Sequence, residues 1–245
     1  MTRRRWIADQ VSGGRAFLLG ANAGHLARVL RARVGQQFEI STGDRVRLGR
    51  IVHMEDGRVE FELGQDLPQA QAAHIALLLA VFKFDRMEWA IEKATELGVT
   101  QILPVIARRT ESHLAAAAAR RAERWRRIAR QAAQQSRRAS PPEIAAPQPL
   151  KSALEVAADI RIVLAENERG LTLKEALAAS RPSTIGHRPT TILAIGPEGG
   201  WTAGELAAFA AAGWTAASLG HAILRAETAA LAALAIVISE VQFNF

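Results

Sequence analysis

The chain has 245 residues, which is enough for one large domain or two smaller ones with real hydrophobic cores. Of these residues 49% are apolar and 22% are charged, the proportions of a water-soluble globular protein. The absence of cysteine excludes disulfides, thiolate zinc sites and cysteine nucleophiles. The longest apolar run, residues 229–238, has about half of the roughly 20 residues that a membrane span needs, and no apolar segment follows the basic N-terminus as in a signal peptide. We therefore expect a cytoplasmic protein.

Basic residues outnumber acidic ones by 31 to 24, and because only four of the 31 are lysine, 27 are arginine. The arginine guanidinium suits bidentate contacts with phosphate, which points to a polyanionic partner such as nucleic acid. A GC-rich genome would produce the same bias, and the abundance of alanine supports that interpretation. Charge alone leaves both explanations open.

Residues 1–64 have the pattern of short strands separated by turns. Strands are predicted at RWIAD, RAFLL, QFEIST, RVRLGRIVHM and RVEFEL, with hairpin turns at TGD and EDG. One helix is predicted at about 22–32, with Asn22 as its N-cap. Its apolar face is predicted to carry Leu26, Val29 and Leu30. The pattern indicates a small, mostly antiparallel barrel-like domain, followed by a linker without periodicity at 64–73.

From residue 74 the pattern changes to alternating strands and helices. Continuous apolar runs such as HIALLLAVF are typical of parallel strands buried on both faces, and further strands are predicted at QILPVI, RIVLAE, TTILAI and TAASLG. Helices are predicted at 85–97 with Gly98 as a C′ glycine, at about 114–138, near 172–180, at 203–212, and at the end of the chain to about 240. Two of them begin with capping boxes, Thr172 with Glu175 and Thr202 with Glu205. This alternation predicts an α/β domain with a parallel sheet.

Three of the predicted strand ends carry residues suited to ligand binding. They are LAEN at 164–167, GPEGG at 196–200 and LGHAILRAET at 219–228. In open α/β sheets ligands bind beyond the carboxyl ends of the strands, where glycines admit the ligand to the backbone N–H groups. The chain has no GxGxxG, no GxxxxGK[ST], no nucleophile elbow and no histidine pair with metal-ligand spacing. The residues alone therefore indicate an α/β enzyme with a glycine-rich small-molecule site.

IGPEGGWTAGEL followed by LGHAILRAETAALAAL resembles the signature of the bacterial 16S rRNA uridine-N3 methyltransferases, the RsmE type of the SPOUT superfamily. HLARVLRARVGQ, KFDRMEWAIEKATELGVTQILPVIARRT and QSRRASPPEI resemble other blocks of that family, in the same order along almost the whole chain. The resemblance implies a PUA-like RNA-binding β-barrel at 1–70. It further implies a SPOUT domain at 71–245, whose parallel sheet is tied in a deep trefoil knot.

The resemblance also implies S-adenosyl-L-methionine as cofactor, 16S rRNA of the small (30S) ribosomal subunit as substrate, a homodimer, and neither a metal nor a membrane partner. Uracil N3 carries a proton, and a cation near the uracil carbonyls would stabilise the charge that develops when the proton leaves. Arg225 is the candidate for that cation. Glu198 could accept the proton or hold backbone N–H groups of its loop, and Glu227 could be only a first-turn residue that the helix dipole favours.

The implied cofactor contacts lie in the three loops: Leu164, Ala165, Glu166, Ile195, Gly196, Pro197, Gly199, Gly200, Leu219, Gly220, Ile223, Leu224 and Thr228. The predicted RNA contacts are basic residues of both domains: Arg3, Arg4, Arg5, His25, Arg28, Arg31, Arg33, Lys83, Arg108, Arg109, Arg137 and Arg138. Several of these could equally be ordinary surface residues. The run at 120–131 is interpreted as a solvated helix face with Trp125 and Ile128 inward.

The chain departs from the family at Ala222, where the family often has arginine, and this puts the individual catalytic roles in question. Two other hypotheses stay open at this point. The chain could be a ribosome-assembly factor that keeps the fold without the chemistry, or a SPOUT methyltransferase that acts on a different RNA. A test of cofactor binding distinguishes an assembly factor from an enzyme. Mapping of the methylated nucleotide distinguishes a methyltransferase for another RNA from one for 16S rRNA.

Overall fold

The computed structural model describes residues 5–43, 45–68, 73–180 and 189–242. These residues form two compact units. The N-terminal unit contains the described residues up to 68 together with 130–141, and the C-terminal unit contains 73–129 and 142–242. The segment 130–141 thus groups with the N-terminal unit, although it lies far beyond the linker at 64–73 in the sequence.

The N-terminal unit is built on a six-stranded sheet with the order β1-β4-β5-β6-β3-β2. Its strands are β1 (Trp6–Ile7), β2 (Gln10–Ser12), β3 (Arg15–Leu19), β4 (Gln37–Ser41), β5 (Val46–Glu55) and β6 (Arg58–Asp66). All pairs are antiparallel except β1 with β4. The two edge strands are joined by Ala8 and Asp9, whose N–H groups bond to Ser41 O at 2.9 Å and Phe17 O at 2.8 Å. The sheet therefore curls until its edges meet at these two residues, around a core that includes Trp6, Leu18 and Phe61.

The helix predicted at 22–32 differs from the observed one. Helix α1 (Gly20–Gly24) begins after Leu19, so Asn22 lies inside the helix and is not its N-cap. The chain continues as one π-helical turn (His25–Val29), closed by the bond from Leu30 N–H to His25 O at 3.1 Å. A π turn adds a residue to the turn and shifts the helical phase, so only Leu26 is buried, while Val29 is 65% and Leu30 47% exposed.

Segment 130–141 is attached to the curled sheet where the sheet edges meet. Arg130 Nη2 donates to Ile7 O at 3.0 Å and to Asp9 Oδ1 at 2.8 Å. The Ser41 hydroxyl donates to Ala139 O. These contacts give the Ile7 carbonyl of the edge strand β1 a donor and satisfy the Ala139 carbonyl of the segment, and they explain why a segment distant in sequence belongs to this unit.

The C-terminal unit is built on a parallel sheet with the order β10-β8-β7-β12-β11-β13, and β9 also pairs with β8. Its strands are β7 (Ile75–Ala80), β8 (Gln101–Ile106), β9 (Glu143–Ile144), β10 (Gln148–Pro149), β11 (Ile160–Leu164), β12 (Thr191–Ile195) and β13 (Thr215–Ala217). The five strands predicted from apolar runs are all present and parallel. The two-residue strands β9 and β10 were not predicted, because they are too short to show periodicity.

The helices of this unit cover both faces of the sheet. They are α2 (Phe84–Leu97), α3 (Ser112–Gln135), α4 (Leu150–Ala153), α5 (Leu173–Ala179), α6 (Ala203–Ala211) and α7 (Ala226–Gln242). Strand β7 shows why its sequence is continuously apolar: Ile75, Leu77 and Leu79 enter one core cluster, and Ala76, Leu78 and Ala80 enter the other. Within the described residues no helix combines the length and apolarity needed to cross a membrane.

Local signals in the sequence set the helix ends correctly. Gly98 ends α2 in the left-handed conformation with φ +107°. Both predicted capping boxes are present, with the hydroxyls of Thr172 and Thr202 accepting from the backbone N–H groups of Glu175 and Glu205. Each glutamate also accepts from its own threonine, at 2.9 Å and 2.8 Å from the backbone N–H. These bonds lower the pKa of the Glu175 carboxyl.

Candidate active site

A cavity of about 310 Å³ lies at the carboxyl edge of the C-terminal sheet. Strands β12, β11 and β13 are neighbours and run parallel, so the loops that follow them meet at this edge. Twelve of the thirteen residues predicted to contact the cofactor line the cavity: Leu164, Ala165, Glu166, Ile195, Gly196, Pro197, Gly199, Gly200, Leu219, Gly220, Ile223 and Leu224. The parallel order thus brings together three segments that are up to about sixty residues apart in sequence.

The loop after β12 needs its glycines. A Cβ at Gly196 would lie 3.3 Å from Trp201 Nε1 and 3.4 Å from the Gly200 backbone. One at Gly199 would lie 3.3 Å from the Arg109 Cδ, and Gly200 has a φ of +67° that L side chains rarely adopt. The loop therefore folds tightly on itself, and its glycines leave no side chain between their backbone and the cavity.

Two neighbouring strand ends hold this loop in position. Glu198 Oε1 accepts the backbone N–H of Lys83, just after β7, at 3.3 Å. The Arg109 guanidinium, just after β8, donates to Gly199 O at 2.5 Å and to Trp201 O at 3.5 Å. Glu198 thus binds the backbone of an adjacent loop and not its own turn. Arg109, predicted as an RNA contact, is occupied with the glycine loop and itself lines the cavity.

The cavity also has walls that sequence reasoning did not identify. They include Asn167, Arg169, Trp201, Leu206, Ser218, His221 and Ala222. Asn167 and Ser218 directly extend predicted strand ends, so their positions in the chain were an available signal. Trp201 directly follows the GPEGG segment, so its position was a signal too, whereas Leu206 gave none because it lies inside α6. Trp201 is also 7% exposed and packs edge-to-face on Phe209.

Arg225 and Thr228 lie outside this cavity and line a second one. It has a volume of about 350 Å³ and is lined by Asp85, Arg86, Trp89, Arg225, Glu227 and Thr228. The first four residues of α7 explain the separation. Ala226 and Ala229 line the first cavity, whereas Glu227 and Thr228 line the second, as expected for neighbours that point to different sides of a helix. Thr228 was predicted to contact the cofactor, but it lines the second cavity and not the one formed by the three loops.

Arg86 and Glu227 form the charged centre of the second cavity. Arg86 Nε lies 3.8 Å from Glu227 Oε1, which is an ion pair but too long for a hydrogen bond. Glu227 is 8% exposed, and Trp89 presents an indole that is 46% exposed. Glu227 is therefore more than the solvated first-turn residue that the helix dipole would favour.

The predicted RNA contacts of the N-terminal unit fall into three groups. Arg3 and Arg4 lie outside the described residues. Arg5 and Arg137 both pair with Glu39 inside the unit, so their charges are partly neutralised. The third group consists of Arg28, Arg31 and Arg33, which are exposed, and His25. Arg28 Nη1 lies 3.6 Å from Oδ1 of the exposed Asp56. His25 packs against Trp6, with ring centroids 5.9 Å apart.

Three further RNA candidates remain. Lys83 and Arg108 are exposed at the carboxyl edge of the C-terminal sheet, where each uses its backbone N–H to bind a glutamate: Lys83 binds Glu198, and Arg108 binds Glu205 at 2.7 Å. Their side-chain charges stay available at the surface. Arg138 is largely covered within the N-terminal unit, and burial lowers its pKa to about 10, which leaves the guanidinium charged at neutral pH.

Comparison with known protein families decides how this site is interpreted. Residues 69–238 match the model of an RNA methyltransferase domain, and residues 18–64 match that of an RNA methyltransferase PUA domain. The chain belongs to the RNA methyltransferase family. The match to the RNA methyltransferase domain covers the parallel sheet and the cavity with the glycine loop.

Individual relatives carry a more specific name. The chain is 34% identical over 239 residues to ribosomal RNA small subunit methyltransferase E of Synechocystis. This match covers 93% of this chain and 74% of the relative. The protein of the same name from Mycobacterium bovis is 33% identical and covers 92% of this chain and 87% of its own length. The crystal structure of ribosomal RNA small subunit methyltransferase E from Neisseria gonorrhoeae bound to S-adenosyl methionine has a TM-score of 0.83 at 29% identity, covering 98% of this chain and 99% of that one.

No group of three or more histidines, cysteines or carboxylates that could hold a metal ion occurs in the described parts of the chain.

Proposed function

We propose that this protein transfers a methyl group from S-adenosylmethionine to N3 of one uridine in 16S rRNA of the small ribosomal subunit. The observation that carries the proposal is the cavity formed by the three loops after β11, β12 and β13, with the glycine loop held at both sides. The relatives named as small subunit methyltransferases, one of them bound to S-adenosyl methionine, support the same reaction and substrate.

The residues around the first cavity fit this cofactor. Its volume of about 310 Å³ is in the range of small-molecule sites, and its lining combines apolar residues such as Leu164 and Leu219 with glycines. Glu166 lies next to Gly200, close to where a Cβ would point, and offers a carboxylate to hydroxyl or amino groups. The bound cofactor supplies a methyl group on a positively charged sulfur, which is already an activated leaving group. The protein contributes position and orientation.

Arg225 is the proposed catalytic cation. It is exposed at the entrance of the second cavity, immediately before Ala226, which lines the first. Its guanidinium would stabilise the negative charge that develops on the uracil carbonyls when the N3 proton leaves. Glu198 is committed to the Lys83 backbone, and we assign it the role of shaping the loop and not that of a base.

The basic surface supplies RNA affinity. We assign residues 1–70 as the RNA-binding domain and 71–245 as the catalytic one. The PUA-domain match at 18–64 supports this assignment, as do the exposed Arg28, Arg31 and Arg33. Lys83 and Arg108 would bind phosphates beside the catalytic cavities. Such contacts give affinity and orientation without reading sequence, so selection of one uridine depends on the shape of the assembled 30S subunit.

Two structural features complete the proposal. The first is a homodimer with its sites at the subunit interface, supported by the large apolar side chain of Ile223, which lines the first cavity and is 83% exposed. The second is the trefoil knot. Its support is the strand order, in which β12 returns between β7 and β11 before the chain continues to β13 and α7. With this substrate the protein would work in the cytoplasm.

The proposal is tested by incubating the protein with methyl-labelled S-adenosylmethionine and small subunits from a strain that lacks the modification. We expect label in 16S rRNA and its recovery as 3-methyluridine after digestion to nucleosides. Cofactor binding without transfer to any subunit RNA would favour a different RNA substrate. Failure to bind the cofactor, measured by calorimetry, would contradict the enzymatic assignment and favour an assembly factor.

A further inference from the structure

The second cavity contains a carboxylate that its surroundings leave under-satisfied. Glu227 is 8% exposed, and among the described residues no hydrogen-bond donor contacts its fully buried Oε2. Its other oxygen lies 3.8 Å from Arg86 Nε. A buried carboxylate normally receives several hydrogen bonds, because its desolvation costs several kcal/mol otherwise. Glu227 lines the cavity, so a rotation of its carboxylate would let it accept a donor from a ligand.

The charged groups around Glu227 come from both elements that form the cavity. Asp85 and Arg86 belong to the start of α2, and Arg225 directly precedes α7. The two arginines are hydrogen-bond donors without acceptor capacity, and the carboxylates of Glu227 and Asp85 line the same cavity as acceptors. The cavity therefore offers two donors, Arg86 and Arg225, and an acceptor, Glu227, that lies 3.8 Å from one of them.

This pattern is complementary to one edge of uracil. The Watson–Crick edge of that base presents the O2 acceptor, the N3–H donor and the O4 acceptor in this order. Cytosine presents an unprotonated N3 at the same place, and its lone pair would face the carboxylate unfavourably. Trp89, which is 46% exposed, adds an aromatic surface on which an unstacked base can lie.

From this complementarity we infer that the second cavity is the uracil subsite and that Glu227 accepts the N3 proton. The inference rests on the proposed function, which it deepens by naming the acceptor site. The N3–H bond breaks and its proton passes to a Glu227 oxygen. The N3 electron pair forms the bond to the methyl carbon, and the electrons of the carbon–sulfur bond pass to sulfur. Arg86 exchanges its long contact with Glu227 for one with a uracil carbonyl.

The position of the subsite is consistent with transfer between the cavities. Ala226 lines the first cavity, and its two chain neighbours line the second. Consecutive Cα atoms are about 3.8 Å apart, so both cavities adjoin the same turn at the start of α7. A base held by Arg225 and Glu227 would therefore lie next to the cavity assigned to the cofactor.

The test uses the full-length protein with Glu227→Gln and a matched control, Glu240→Gln. Glu240 is a second glutamate of α7, has a side chain that is 19% exposed, pairs with Lys174 and lies at the other end of the helix. Small subunits are assembled from 16S rRNA transcribed with either uridine or 5-fluorouridine, whose N3–H is more acidic. For Glu227→Gln with uridine we expect kcat to fall by about 10²–10⁴-fold, the usual contribution of a positioned base.

Three readouts separate a base from a structural residue. The cofactor Kd of Glu227→Gln is expected to equal that of the wild type, and its kcat is expected to rise with pH over a range where the wild-type value is constant. Substitution of 5-fluorouridine is expected to increase kcat at least about tenfold more for the variant than for the wild type, since a more acidic N3 needs a base less. Equal effects of the fluorinated substrate on both proteins, or an unchanged kcat, would overturn the inference.

Failure of the proposed function would look different, because wild type and Glu240→Gln would then form no 3-methyluridine. If Glu227→Gln does not fold, Trp89→Ala decides, since the half-exposed Trp89 can be removed with little effect on the core. A fall of about tenfold or more in kcat/KM for the subunit, with an unchanged cofactor Kd, would support the subsite. An unchanged kcat/KM would overturn it.

Discussion

The two cavities at the start of α7 are built in opposite ways. The first consists of three loops that follow adjacent parallel strands, and most of its lining residues are glycine, alanine or larger apolar residues. The second consists of side chains from the ends of two packed helices, α2 and α7, and most of its surface is charged or aromatic. The first suits a cofactor that needs a shaped backbone cradle, and the second suits a base that is recognised by charges and stacking.

The difference explains why one cavity is visible in the sequence and the other is not. Glycine loops after apolar strands are contiguous patterns, and parallel order brings them to one edge. The second cavity depends on Arg86 and Glu227, which are 141 positions apart and meet only because α2 packs on α7. The two cavities should therefore respond separately to substitution.

After Glu227→Gln, the largest effect is expected from Arg225→Ala, which removes the proposed catalytic cation from the second cavity. We expect kcat to fall about 10²–10³-fold, the typical loss when one donor to a developing negative charge is removed. The cofactor Kd is expected to stay the same, because Arg225 does not line the first cavity. Single-turnover methylation and calorimetry measure the two quantities, with the exposed Arg127→Ala of α3 as control. A large change in cofactor affinity would contradict the division between the cavities.

The reverse pattern is expected for Gly196→Val in the first cavity. The added side chain would press on Trp201 and the Gly200 backbone, so the loop must open. We expect the cofactor Kd to rise about 100-fold, equivalent to about 2.7 kcal/mol. Gly204→Ala is the control, because a Cβ there has no neighbour within 4 Å among the described residues. Wild-type affinity of Gly196→Val would disprove the assignment of the cofactor to this loop.

A smaller effect is expected from Arg109→Ala, which removes the contacts with Gly199 O and Trp201 O. The loop stays in place through Glu198, so we expect the cofactor Kd to rise only about tenfold, or about 1.4 kcal/mol. Arg109→Lys is expected to recover part of that loss. The neighbouring Arg108→Ala should leave cofactor affinity unchanged and weaken RNA binding. If Arg109→Ala weakened RNA binding alone, the original RNA assignment of this residue would be correct.

The smallest effect is expected in the N-terminal unit. Arg31→Gln and Arg33→Gln each remove one exposed charge, so the slope of log affinity for rRNA against log salt should fall by about 0.7–0.9 per substitution. Titrations at several salt concentrations measure this slope. Arg15→Gln is the control, because Arg15 already pairs with Glu60. Slopes identical to that of the wild type would remove these arginines from the RNA surface.

Much of the fold could be predicted because its signals are local. The apolar run of β7 predicted burial on both faces, Gly98 predicted a helix end, and the Thr202–Glu205 box predicted a helix start; all three are confirmed. The prediction for the helix at 22–32 was wrong about its N-cap and its buried face. The pattern assumes about 3.6 residues in every turn, and the π-helical turn at His25–Val29 departs from this spacing.

The parts of the site that could not be predicted depend on contacts between distant residues. The charge of Arg109 suggested RNA binding, whereas its hydrogen bonds join it to a loop 90 residues away. Thr228 lies in a motif with cofactor residues but on another side of the helix. Arg137 was a reasonable phosphate ligand until Glu39, which is 98 residues away, is seen to pair with it. In each case residue type was informative, and only the tertiary structure identified the partner.

The most direct test of the whole account is to map the methylated nucleotide on 16S rRNA after reaction with unmodified small subunits. A methyl group on uracil N3 blocks Watson–Crick pairing and therefore stops reverse transcriptase. We predict a cofactor-dependent stop at one uridine with the wild-type protein, and loss of that stop with Gly196→Val and Arg225→Ala. Methylation of a ribose hydroxyl or of another base, or a stop that persists in both variants, would contradict the proposed reaction and the roles of the two cavities.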